Sequence, residues 1–322
     1  MSIERVDVPV CGNYYRLQGS SNNYVDAVNK YSGTQMGLKS VNEYSAPGTI
    51  FYFDRDMTMI NYATGTAIKD TRHIASVGEA GNPWAFFPST SHEGKFKVIN
   101  VSNQYYLHDN EGNRADRCDR DAADHADTHS WTIEPVTTLP VTITSAGWAT
   151  LYAPVALEIA ENVKAYAIKV DSERNVAVLN EISDVIPANT GAVLEGAADT
   201  YNFNVVESAE DVESDLRGSV ASTYYTEAGT YYALGIVDEV VGFYRDELAN
   251  SRFQNNGHKA YLYIPGSSNV ASYSFRYEGT TSIEEVETEN AVKAIYDLTG
   301  RKVNEITAPG IYIVNGKKVL VK

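Results

Sequence analysis

Recognition of a carbohydrate needs an aromatic face for the apolar side of a sugar ring and short Asp or Asn side chains for its hydroxyls. Two stretches of this chain supply both. One is Tyr105-Tyr106 followed by His108-Asp109-Asn110-Glu111-Gly112-Asn113, and the other is Asn22-Asn23-Tyr24 followed by Asp26, Asn29 and Tyr31. In the first, Tyr105 or Tyr106 would offer the stacking face, only one of them pointing outward if strand alternation holds. Asp109, Asn110 and Asn113 would meet hydroxyls, with His108 beside them. Asn23, Tyr24 and Asp26 form a weaker second set. The same residue types also build turns and fill cores, so at each position a structural use stands beside the binding one.

Other chemistries find less support. Between residues 108 and 129, His108, Asp116, Asp119, Asp121, Asp124, His125, Asp127 and His129 concentrate oxygen and imidazole ligands. Oxygen-rich loops bind calcium, but the ligand order of a helix-loop-helix calcium site is missing and Arg114, Arg117 and Arg120 are interleaved, which favours a solvated loop with internal ion pairs and no metal. Acids such as Asp184, Glu195 and Glu207 are plentiful, yet glycoside hydrolysis needs two carboxylates about 5–10 Å apart in a cleft. No nucleophile elbow, HExxH or phosphate-cradling glycine loop occurs. The expectation is a non-catalytic chain without a cofactor. Cys11 and Cys118 match no metal spacing; a disulfide between them and two separate thiols are both open.

The elements that position these residues read as all-β. The 322 residues, 43% of them apolar and 23 of them tyrosine, suffice for two or three cores. A net charge of −16 argues against nucleic acid or an anionic membrane as partner, and no apolar run reaches the length of a spanning helix. Over residues 1–138, Tyr14-Tyr15-Arg16-Leu17-Gln18-Gly19-Ser20-Ser21-Asn22-Asn23-Tyr24-Val25 lays onto Phe96-Lys97-Val98-Ile99-Asn100-Val101-Ser102-Asn103-Gln104-Tyr105-Tyr106-Leu107 without a gap, and a fainter copy spans residues 58–68. Phe51, Trp84 and Trp131 close the three copies. Three such units of about 40 residues predict a β-trefoil whose closing aromatics share one core. Lobe two, lacking a polar and aromatic set, reads as silent.

After Pro135 and Pro140, read as a short stiff junction, residues 139–280 predict an antiparallel sandwich. Its strands are expected near 141–143, 149–152, 165–170, 176–179, 191–194, 201–205, 231–234, 241–244, 259–264 and 272–277. Residues 281–322 open with an acidic linker, 282–290, and then show strands at 294–298, 311–314 and 318–321, joined by turns at Thr299-Gly300-Arg301, Pro309-Gly310 and Asn315-Gly316.

Three resemblances accompany this reading. The closing aromatics resemble those of ricin-type lectins, although the Gln two places before the Trp is absent. GWATLYAPVAL, VIPANTGAVLEG and HKAYLYIP resemble an unassigned β-domain found before sorting tails in secreted glycan-degrading proteins. YDLTGRKV and PGIYIVNGKKVLVK resemble the C-terminal sorting domain of proteins exported by the type IX secretion system of gut and oral bacteria. They imply a secreted or outer-surface protein that meets secretion machinery through its tail. Met1-Ser2-Ile3-Glu4-Arg5 lacks an export-signal pattern, so the expectation is either the C-terminal part of a larger precursor or a chain whose signal was replaced. Together these point to a monomeric carbohydrate-binding accessory protein for a neutral glycan. The rivals are a structural or adhesin spacer that contacts proteins and a glycoside hydrolase with an interdomain site.

Overall fold

The computed structural model describes residues 9–32, 35–39, 46–71, 74–78, 81–118, 126–248, 251–278, 295–297, 302–303, 310–314 and 317–321. Among them the secondary structure is strand throughout, apart from single short turns such as the 3₁₀ turn Pro47–Thr49. The chain divides into two compact units, residues 1–278 and 279–322.

The first twelve strands are β1 (Asn13–Gln18), β2 (Tyr24–Ser32), β3 (Gln35–Lys39), β4 (Phe51–Phe53), β5 (Met59–Asn61), β6 (Ala67–Thr71), β7 (Ile74–Gly78), β8 (Trp84–Pro88), β9 (Phe96–Asn100), β10 (Tyr106–Asn110), β11 (Arg114–Cys118) and β12 (Ser130–Pro135). Six of them close a barrel: β1 pairs with β4 and β12, β4 with β5, β8 with β9, and β9 with β12, while a Thr58–Pro83 bridge joins β5 to β8. The hairpins β2–β3, β6–β7 and β10–β11 pair with one another through β3–β7, β7–β11 and β11–β3. A six-stranded barrel capped by a triangle of hairpins is the predicted β-trefoil. Phe51, Trp84 and Trp131 are fully buried in a single cluster with Leu17, Val25, Ile68, Val98 and Leu107. Two of the closing rings also satisfy their N–H inside the lobe, Trp84 Nε1 on the Ile68 carbonyl (3.3 Å) and Trp131 Nε1 on the Leu107 carbonyl (3.0 Å).

The gapless repeat needs one correction. The turn after the first strand of each lobe is closed by Gly19 N–H on Asn23 O, Asn61 N–H on Thr66 O and Asn100 N–H on Tyr105 O, so lobe one is a residue shorter. Asn22, Gly65 and Gln104 then occupy the same left-handed position, with φ of 63°, 63° and 62°. Leu17 therefore corresponds to Val98, both in the barrel core, and not to Ile99. Because strand side chains alternate, a slip of one residue exchanges inside for outside.

Strands β13 (Thr138–Ile143), β14 (Trp148–Tyr152), β15 (Ala156–Glu158), β16 (Val163–Asp171), β17 (Val176–Ile182), β18 (Val185–Ile186), β19 (Gly191–Gly196), β20 (Asp199–Val206), β21 (Leu216–Ser219), β22 (Thr223–Tyr225), β23 (Gly229–Val237), β24 (Val240–Arg245), β25 (Phe253–Asn255), β26 (Lys259–Pro265) and β27 (Ser272–Tyr277) follow. All ten expected strands lie within them. A sheet ordered β13-β20-β15-β18 covers one face of β14, β16 and β19, burying Leu139, Val141, Leu157 and Phe203 against Leu151, Ala165 and Leu194. The other face of that larger sheet encloses a second core around Tyr166, Val193, Tyr232, Phe243 and Leu262. One pair, β17 with β27, is parallel.

The stretch from Pro135 to Pro140 is not a linker. Pro135 pairs with Tyr15, Val136 is buried and donates its N–H to Tyr14 O, and Pro140 sits in edge strand β13 opposite Asn202, where a missing N–H is tolerated. The sheets change there, but the core does not. Tyr14, Ile50, Tyr52, Ile60 and Tyr62, on the outer wall of the barrel, belong to the same apolar cluster as the sandwich residues Leu139, Leu151 and Ala153.

The second unit has β28 (Ile295–Asp297), β29 (Lys302–Val303), β30 (Gly310–Val314) and β31 (Lys317–Val321) in a sheet ordered β29-β28-β30-β31. Described strands fall at the three expected places, β29 is a further one, and the acidic segment 282–290, the turns at 299–301 and 315–316 and residue Pro309 lie outside the described residues.

Truncating Trp131 to Ala should cost about 3–5 kcal/mol, read as a lower urea midpoint of the residue 1–278 transition. Residues 1–138 expressed alone should aggregate or lose their fixed tyrosine environment, because the outer wall is apolar. A soluble, cooperatively folding 1–138 fragment would contradict the shared core.

Candidate carbohydrate-binding site

Lobe three places the proposed residues around the β10–β11 hairpin. Tyr105 precedes β10 and lies in the turn with exposed Ser102, Asn103 and Gln104; its N–H donates to Asn103 Oδ1 (3.0 Å). Since Tyr105 is not yet in the strand, alternation does not divide the pair, and both Tyr105 and Tyr106 are half-buried. Tyr106 stacks on His129 (centroids 5.1 Å apart, 9° between planes), with Lys97 Nζ 5.5 Å from its centroid, and His108 meets His129 edge-on. One face of Tyr106 is thus occupied by imidazole, which leaves Tyr105 as the better stacking surface.

The carboxylates behave differently from expectation. Asp109 is 1% exposed. Its Oδ2 accepts Ser21 N–H (2.8 Å), Ser21 Oγ (2.7 Å) and Ser20 Oγ (3.3 Å), and its Oδ1 accepts Gly112 N–H (3.0 Å). A Cβ at Gly19 would overlap this carboxylate. Asp109 is therefore a latch that ties the lobe-three hairpin to the lobe-one turn and does not meet a ligand hydroxyl. Asp26, equally buried, accepts Val28 N–H and Asn29 N–H through Oδ1 where β2 breaks register between Asp26 and Lys30. The physical reason is common to both: a carboxylate can cap several backbone N–H donors at once, and charge-assisted bonds of that kind repay its burial.

The asparagines of the two sets bond in or near the β10–β11 turn. Asn23 Nδ2 donates to Gly112 O (2.8 Å), Asn113 Nδ2 to Glu111 O (3.1 Å), and Asn110 Nδ2 to Asp116 Oδ2 (3.1 Å). Tyr24 is buried and its hydroxyl lies 3.0–3.1 Å from both Glu134 oxygens. The structure therefore brings Asn23, Asp109 and the 111–113 turn together as a junction between lobes. Tyr24 and Asp26 lie elsewhere on β2.

Of the acid and histidine run, Asp119, Asp121, Asp124 and His125 lie outside the described residues. Asp116 pairs with Arg114 (3.4 Å) and Asp127 with His92 (2.8 Å). Among the described residues no group of three or more His, Cys, Asp or Glu could hold a metal. Cys11 is a free, exposed thiol in a turn whose next residue, Gly12, bonds β4, whereas Cys118 ends β11, in the triangle of hairpins, opposite Tyr106. Glu195 accepts the hydroxyls of Tyr166 (2.8 Å) and Tyr277 (3.2 Å), and Glu207 is exposed.

Sequence reasoning missed the seam between barrel and sandwich. The lobe-two turn, with Gly65 at φ 63°, docks there: Ser222 N–H donates to Gly65 O and Ser222 Oγ to Thr64 O, while Gly257 N–H donates to Ser222 Oγ. Lobe two offers no binding surface at this turn because the turn is spent on the sandwich. His258 follows, 4% exposed and itself left-handed at φ 59°, with its ring 4.6 Å from that of Tyr62 and 5.8 Å from that of Tyr14. Nδ1 is 3.3 Å from both Tyr14 Oη and the Tyr152 carbonyl, and Nε2 has no partner. Burial pushes the imidazole down to about 3 from its ordinary 6.5. Nothing in Asn256-Gly257-His258-Lys259 announces this, since a His in a polar turn ordinarily faces solvent.

Asp109→Ala should destabilise the chain by about 2–4 kcal/mol through orphaned N–H and O–H donors, measured by denaturant unfolding. His258 is held neutral in the folded state, so stability is full above pH 6.5 and falls as pH drops from 6.5 toward 3, by up to about 5 kcal/mol from a difference of about 3.5 units at 1.36 kcal/mol each. The acid limb of a pH–stability curve should flatten in His258→Gln. No protein-family model matches the chain and no curated protein matches it, so the reading of these sites rests on their own geometry.

Proposed function

We propose that this chain is a non-catalytic, secreted or surface-displayed protein that binds a neutral glycan through lobe three of its trefoil, with the sandwich as a rigid support and residues 281–322 as a sorting tail that meets secretion machinery. The observation that carries the binding role is the lobe-three turn, where Tyr105 is half-exposed beside exposed Ser102, Asn103 and Gln104. An aromatic with amide and hydroxyl neighbours suits the apolar face and the hydroxyls of one sugar. Asn110 and Asn113 lie at the other end of β10, in the β10–β11 turn that Asp109 and Asn23 tie to lobe one, and are not part of this platform. With a net charge of −16, the surface favours a neutral sugar over a sialylated or sulfated one, since like charges repel within the Debye length of about 8 Å at physiological salt.

A second reading, a spacer or adhesin that contacts proteins, draws support from the core shared between barrel and sandwich, which makes residues 1–278 one stiff body.

A single shallow platform binds weakly, so millimolar dissociation constants are expected, about −4 kcal/mol. Neutral mono- and oligosaccharides titrated into the full chain should shift the amides of Asn103, Gln104 and Tyr105 saturably, and Tyr105→Ala should abolish the effect. Silence of lobe three throughout such a titration would leave the spacer reading in its place.

A further inference from the structure

We propose that the seam between barrel and sandwich is a second binding site, for a neutral polyol the size of one sugar ring, which donates a hydroxyl to His258 Nε2 and accepts a hydrogen bond from Lys259 Nζ. A cavity of about 280 Å³ opens there. Tyr62, Leu151, His258 and Lys259 line its inner part, and the exposed residues Pro47, Ala63 and Thr142 line its mouth. Pockets for drug-sized ligands begin near 300 Å³, so the space suits something smaller.

The chemistry of the lining selects the ligand. The 3.3 Å contact with Tyr152 O is a hydrogen bond only when Nδ1 carries the proton, because a carbonyl oxygen only accepts; Tyr14 Oη, also at 3.3 Å, fits either tautomer, and the proposal takes the Nδ1–H form. Nε2 is then a bare acceptor, buried and without a donor, a state that costs free energy until a donor arrives. His258 lines the cavity while Tyr14 and Tyr152, which hold Nδ1, do not, and the proposal places the Nε2 edge toward it. A carboxylate would bring its lone pairs against this acceptor; a hydroxyl presents a proton to it and can take an N–H from Lys259 on its oxygen. Lys259 has only a long contact to Thr150 O (3.4 Å) to give up. Tyr62 and Leu151 supply apolar surface for the C–H face of a ring. Nε2 has no solvent-accessible surface, so seating the hydroxyl needs a small side-chain adjustment of the kind common on binding. His258 holds this place in a backbone conformation that favours glycine. In the turn closed by Lys259 N–H on Asn256 O, Gly257 comes first and His258 takes the left-handed second position where glycine is favoured.

The site does not rest on the lobe-three reading, and the two are read by different nuclei. In the full chain, the His258 ring resonances are followed while neutral monosaccharides and alditols are added to high millimolar concentration. A saturable shift of His258, accompanied by the Ala63 and Thr142 amides, is expected. It should vanish in Thr142→Trp and in Ala63→Trp, which close the mouth from the sandwich and the barrel sides, and persist in Thr142→Val and Tyr105→Ala. Lys259→Met should weaken it about tenfold or more. The proposal is overturned by an unmoved His258, by a shift that survives both tryptophan variants, or by a response to uronates alone.

Discussion

Strand β1 is buried on both faces, and the arrangement of residues 9–278 depends on that. Tyr15 and Leu17 turn into the barrel, while Tyr14 turns outward into the cluster shared with the sandwich. A strand on the wall of a small barrel usually leaves its outer face to water. Here Tyr14, Tyr52, Ile60 and Tyr62 would form an exposed apolar patch if the sandwich were removed, of the kind that marks an interface. The sandwich answers with Leu139, Val141, Leu151 and Ala153, and polar contacts fix the register: Tyr62 hydroxyl to Pro140 O (2.9 Å), Ser222 to the lobe-two turn, Val136 N–H to Tyr14 O. The pseudo-threefold repeat is broken by this contact, since one turn of three is enclosed and the lobe-three turn stays open.

The acidic composition has a structural use that net charge alone does not show. Asp109, Asp26, Asp54 and Asp171 each accept two or more N–H or O–H donors from turns. In a chain that is strand and turn almost throughout, the groups most in need of partners are the N–H donors at strand ends, and a short carboxylate reaches two of them from one side chain. Asp54 shows the cost: burial raises its pKa, and the two N–H groups of Asp56 and Thr58 work against that rise. Acids spent in this way are unavailable for sugar hydroxyls or metals.

The architecture was legible in the sequence where the signal was local. Alternation located ten of the fifteen described sandwich strands, missing β15, β18, β21, β22 and β25, which are too short to show a period of two, and the spacing of Phe51, Trp84 and Trp131 revealed three lobes and one core. What the sequence hid was set by contacts between distant residues. The missing residue in the lobe-one turn left the alignment equally plausible without a gap, because polar turn residues carry no apolar period to betray a slip. Tyr14 and Tyr15 point to opposite faces of β1 by alternation, and only the arriving sandwich makes the outward Tyr14 a core residue. In the candidate site, Tyr105 and its neighbours were readable as a surface turn, but Asp109 was not readable as a latch, since its donors Ser20 and Ser21 lie 89 and 88 residues away.

The seam also constrains which protonation states the fold accepts. Burial raises the pKa of Tyr14 and of Tyr62 while it lowers that of His258, so each of these three packed rings is neutral at physiological pH and each resists its own charged form. Among the described residues, the groups that face His258 are Tyr14, Tyr62, the Tyr152 carbonyl and Lys259, none of them a carboxylate. An imidazolium formed there would meet a neighbouring ammonium and no counter-charge, which is why its loss of stability in acid is not offset by a new ion pair. A neutral donor such as the hydroxyl of the proposed ligand satisfies Nε2 without introducing charge into this core, and the cavity of about 280 Å³ suits a ligand of that size.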